Sequence, residues 1–177
     1  MMSIIYVLWM YVILFAVIGA MRGWAKELMV SFSVVAALAV NFLLRRYIPI
    51  VIDLKEDSTS LFWIRSLILI GLVYFGYQTV VAIPHLASKA ARERLQDALF
   101  GAFLGAFNGY LIAGTLLFYL SQANYPYPDI VSAPPQGSTL ANSVAMLMQY
   151  MPPRWLGEPT IYFAVIIILI FIIVVYI

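Results

Sequence analysis

The chain has 177 residues, of which 64% are hydrophobic and only 10% charged. Soluble domains carry about 25% charged residues; this chain has too few to cover a water-facing surface, and a mean hydropathy of +0.98 makes lipid its natural solvent. A net charge of +2 gives no reason to expect a nucleic-acid partner, and the lack of cysteine excludes disulfides, thiolate metal sites and cysteine nucleophiles.

The first apolar run, Ser3 to Met21, has no charge and is long enough to span a bilayer core. No basic residue precedes it and no small-residue cleavage site follows, so it is expected to persist as a helix. The polar patch Arg22 to Glu27 must contain a turn. Leu28 to Leu44 is the second span, closed by the snorkelling pair Arg45 and Arg46. Tyr47 to Ser60, with Pro49 and the charges Asp53, Lys55, Glu56 and Asp57, reads as a loop. Leu61 to Ile83 is the third span, stopped by Pro84, with Arg65 near enough to its start to reach the interface.

From His85 to Ala98 the pattern changes. Lys89, Arg92, Arg94 and Asp97 alternate with small apolar residues, which predicts a short amphipathic helix on the membrane surface. Leu99 to Leu120 is the fourth span. Ser121 to Pro159 is proline-rich, but Leu140, Val144, Leu147, Met148 and Met151 fall at helical spacing. A second amphipathic helix is expected from Thr139 to Met151, ended by Pro152 and Pro153. Thr160 to Ile177 is apolar throughout and is expected to span as a fifth helix.

The predicted fold is therefore all-α: a polytopic membrane protein with four to five transmembrane helices and two short amphipathic interfacial helices. It divides into a four-helix membrane core (residues 1–120), a proline-rich loop with its amphipathic helix (121–159) and the fifth helix (160–177). Charge does not orient it. With five spans, Arg22, Lys26, Lys89, Arg92 and Arg94 fall on one side and Arg45, Arg46, Lys55, Arg65 and Arg154 on the other, five against five.

Two groups of residues stand out. Gly101, Gly105 and Gly109 repeat at four-residue spacing and share one face of the fourth span, where they admit a neighbouring backbone, either within the bundle or from a partner. Asn108, beside that face, is expected to hydrogen-bond across a helix pair, since an unpaired amide in lipid is costly. Gly19, Arg22, Gly23 and Glu27 form the first hairpin. Taken alone, Arg22 and Glu27 read as interface anchors with a surface ion pair of little energetic weight.

Together these patterns resemble the CvpA family, the colicin V production proteins. Gly19 to Leu28 (Gly-Ala-Met-Arg-Gly-Trp-Ala-Lys-Glu-Leu) is similar to that family's first hairpin, and Asp97 followed by Gly101, Gly105 and Gly109 to its second signature. The order of elements from about residue 3 to residue 152 also matches. The chain departs from the family pattern at Ala98 and Asn108, where basic residues are usual, and in its added hydrophobic segment after Thr160. The resemblance implies a bacterial cytoplasmic (inner) membrane protein with the amino terminus outside. The Arg22 hairpin and the Lys89–Arg94 stretch would then lie inside and the proline-rich loop outside, and a spanning fifth helix would bring the carboxyl terminus inside. It also implies a link to envelope function and to export of a small peptide.

The predicted spans hold no Asp or Glu, and the one histidine, His85, has neither a cysteine nor a carboxylate beside it. No catalytic residue, metal ligand or cofactor is assigned. Two functions remain: a non-catalytic family member supporting envelope function or peptide export, or an accessory subunit of a larger membrane complex, for instance a respiratory or photosynthetic one. The expected partners are the lipid bilayer and other membrane subunits or a second copy of the chain.

Overall fold

The computed structural model describes residues 4–78, 91–129 and 131–176. They form helices α1 (Ile4–Arg22), α2 (Trp24–Tyr47), α3 (Pro49–Ile52), α4 (Thr59–Gln78), α5 (Ala91–Gln122), α6 (Thr139–Gln149), α7 (Pro152–Trp155) and α8 (Thr160–Tyr176), with no strand among the described residues. Four of these, α1, α2, α4 and the Arg94–Gln122 part of α5, are long and apolar enough to cross a membrane. The molecule is an all-α polytopic membrane protein.

Helix ends follow local chemistry. Helix α2 starts earlier than the apolar run because a single residue, Gly23, makes the turn after α1. It ends at Ile48, whose extended backbone (φ −98°, ψ 110°) is what a residue before proline prefers. Pro49 then opens the short α3, inside the stretch expected to be a loop. The Ser58 hydroxyl caps α4 by accepting from the Leu61 amide at 3.2 Å. Residues 79–83 of the expected third span lie outside the described residues.

One predicted boundary is corrected. Ala91 to Ala98 is not a separate surface helix but the first turns of α5, which runs unbroken for 32 residues. At 1.5 Å per residue that is about 48 Å, well beyond a hydrocarbon core of about 30 Å. The charged turns continue the axis of a spanning helix, because no glycine or proline interrupts the chain between Ala91 and Gly101. His85 to Ala90, including Lys89, fall outside the described residues.

Helix α6 forms where its spacing predicts, with the Ser138 hydroxyl accepting from the Ala141 amide at 3.1 Å. Pro152 and Pro153 do more than end it. They occupy the first turn of α7, where a proline costs no hydrogen bond.

Packing centres on α5. Helix α1 lies antiparallel to it, with Gly19 against Gly101 and Gly105, and Gly109 against Tyr11 and Phe15. Helix α2 packs on both α4 and α5; Gly76 of α4 meets Ser33 of α2. Helix α8 runs antiparallel along α2, where Phe42 meets Tyr162 at 5.9 Å between ring centroids and Phe32 meets Phe171 at 5.3 Å. Val34, Leu38, Leu69, Leu111, Leu117, Val144, Met151 and Ile161 belong to one buried cluster. Helices α6 to α8 thus share the core of the first four spans. The opposite face of α1 is apolar and exposed at Trp9, Ile13 and Val17, as a lipid-facing helix requires.

Candidate functional site

The first site lies where α1 turns into α2. Gly23 has φ +89°, a left-handed value that glycine adopts without a Cβ penalty. A Cβ there would stand 2.6 Å from Asp97 Oδ2. The absent side chain makes room for that carboxylate, whose Oδ1 accepts from the Trp24 amide at 3.1 Å. The first amide of α2 is thus capped by a residue of α5, and the negative charge sits at the positive end of the α2 dipole.

Arg22 folds back over this turn. Its Nη1 donates to Glu27 Oε1 at 3.0 Å, its Nη2 donates to the Tyr77 carbonyl at 3.1 Å, and its guanidinium lies 4.1 Å from the centroid of the Tyr77 ring. Glu27 is fully buried. Its second oxygen, Oε2, accepts from Asn108 Nδ2 at 2.8 Å, and the same amide nitrogen donates to the Glu27 carbonyl at 2.8 Å. Ser31 Oγ donates to Asn108 Oδ1 at 2.6 Å. Both carboxylate oxygens are therefore held, one by a cation and one by an amide. That is the condition under which a buried ion pair is tolerated.

This clasp joins α1, α2, α4 and α5, and it unites the two motifs singled out in the sequence. Gly19, Arg22, Gly23 and Glu27 meet Asp97, Gly101, Gly105, Asn108 and Gly109 in one interface. The surface ion pair expected of Arg22 and Glu27 is instead a half-buried one, with Glu27 fully enclosed and Arg22 partly exposed. Arg94 is exposed and Arg92 lies in the first turn of α5. Sequence reasoning missed Ser31 and Tyr77. Ser31 had a signal, being four residues after Glu27 on the same helical face; Tyr77, an aromatic within an apolar run, had none.

The second site is at the opposite end of the bundle. A cavity of about 390 Å³ is lined by residues of α2, α4, α5 and α7, among them Arg45, Arg65 and Arg154. Arg65 sits near the start of α4, at this end of the bundle. Its Nη1 donates to Gln122 Oε1 at 2.9 Å, its Nη2 is 3.6 Å from Glu56 Oε2, and its guanidinium is 5.4 Å from the Tyr119 ring centroid. Arg45 pairs with the other oxygen of Glu56. Arg154 stacks over Phe118 at 5.7 Å. Asn41 donates to the Arg65 carbonyl at 3.2 Å, while its buried Oδ1 accepts no hydrogen bond from the described residues.

Fold and clasp define the class: a helical membrane protein whose spans are locked by a buried Arg–Glu–Asn network beside a glycine-packed helix pair. The family model described as colicin V production protein matches residues 5–149, and the chain belongs to that family. No curated protein and no solved structure matches it.

Proposed function

We propose that this protein is a non-catalytic member of the colicin V production family, which supports envelope function or export of a small peptide from the bacterial inner membrane. The observation that carries this reading is the state of Glu27. Glu27, the one fully buried carboxylate among the described residues, is bound up by Arg22 and Asn108, so it acts as a structural tie. The bundle is built as a fixed scaffold, and its working surfaces are its outer faces and its ends. Other membrane subunits or a second copy would dock on exposed apolar faces such as Trp9, Ile13 and Val17 of α1.

Deleting the gene in its host tests the proposal. Secreted peptides and sensitivity to membrane-active detergents are measured with and without a plasmid copy. Reduced export or a sensitised envelope, restored by the plasmid, is the expected outcome. An unchanged secretome together with an unchanged envelope would refute it. Extraction in a mild detergent, followed by identification of co-purifying subunits, separates a free-standing factor from an accessory subunit of a larger complex.

A further inference from the structure

We propose that the arginine-lined cavity between α2, α4, α5 and α7 binds a phosphate ester, with the phosphate held by Arg65 and Arg154. Three guanidiniums face this cavity, Arg45, Arg65 and Arg154, against the single carboxylate Glu56. Three positive charges less one negative leave an excess of two. Arg154 has no carboxylate partner among the described residues, and Glu56 is shared between Arg45 and Arg65. Clustered like charges repel, and an anion between them relieves that repulsion. A guanidinium presents forked donors that match the oxygens of a phosphate.

The rest of the cavity indicates what the phosphate is attached to. At about 390 Å³ it is of the size that takes an organic ligand. Asn41 is 6% exposed and adds a polar amide to the lining. Leu38, Phe42, Phe118 and Leu156 form apolar walls beside the charges. Cation, polar amide and apolar wall together suit the headgroup of a glycerophospholipid, with free inorganic phosphate as the simpler source of the same chemistry.

The test uses the full-length protein in a mild detergent. Native mass spectrometry follows the binding of dioleoyl phosphatidylglycerol and phosphatidylethanolamine, with dioleoylglycerol as the probe lacking phosphate. Thermal unfolding is measured in parallel in sodium phosphate and in sodium chloride at equal ionic strength. Arg154 is exposed on a short helix, so Arg154→Gln spares the core; circular dichroism checks its fold, and Arg154→Glu is the second variant. Phospholipid binding should exceed dioleoylglycerol binding and fall about tenfold in Arg154→Gln, the effect of losing one charge-assisted contact. Stabilisation by inorganic phosphate that is lost in the variant, without phospholipid binding, would assign the site to free phosphate. Equal binding of dioleoylglycerol and phospholipid, or equal binding of both phosphate probes by wild type and the Arg154 variants, would overturn the proposal.

Discussion

Glu27 shows how far a single residue depends on its partners. Its carboxylate is fully buried and survives in that place because Arg22 and Asn108 each hold one oxygen. Removing one partner of a buried pair costs about 3–5 kcal/mol, whereas removing both charges together is often close to neutral. Arg22→Met should therefore be strongly destabilising, and Arg22→Met combined with Glu27→Leu should recover much of the loss. Thermal unfolding of the single and double variants in detergent measures the coupling. Additive effects would show that the pair contributes nothing jointly. Asn108→Leu removes a donor without removing the charge and should cost about 1–3 kcal/mol in the same assay.

Among the elements, the contact of α1 with α5 is set by glycine. Gly105→Leu would drive a side chain into the backbone of α1 at Phe15 and Gly19. Gly71, with nothing within 4 Å of a Cβ placed on it, provides the control. Size-exclusion profiles should show Gly71→Leu monodisperse and Gly105→Leu aggregated or degraded; equal profiles would refute tight packing at Gly105. Gly23→Ala combines a left-handed backbone penalty of about 1–2 kcal/mol with a collision at Asp97, and should lower the unfolding temperature in the same preparations. The spans were legible because each is an apolar run of bilayer length, and Asn108 was legible as a polar group beside a smooth face. The burial of Glu27 was not, since it is created by a residue 81 positions away. The start of α5 was misread for a different reason: alternating charges and small apolar residues report which solvent a segment tolerates, not whether it continues the next helix. The partner of Arg65 was not legible either, because nothing near it in sequence announces Gln122, 57 positions later.

For the molecule as a whole, the antiparallel course of α8 along α2 returns the chain to the end where the α1–α2 hairpin lies. If α8 crosses the bilayer beside α2, the carboxyl terminus and the Gly23 turn face the same compartment. A reporter active only in the cytoplasm, fused after Ile177, and a cysteine at the exposed Lys26 probed with an impermeant reagent should agree on the side. Opposite sides would mean that α8 does not cross. The two ends of the bundle differ in chemistry: one is closed by a neutralised clasp, the other opens on an excess of guanidinium charge.

The cap on α2 comes from Asp97, 73 residues after the amide it holds. Synthesis runs from the amino terminus, so the α1–α2 hairpin enters the membrane with an open helix end and with Glu27 lacking Asn108. It stays unfinished until α5 arrives, and α5 is therefore the step that commits the nascent chain to its final form. A chain stopped before Ala91 leaves the Trp24 amide without Asp97 and one oxygen of Glu27 without Asn108.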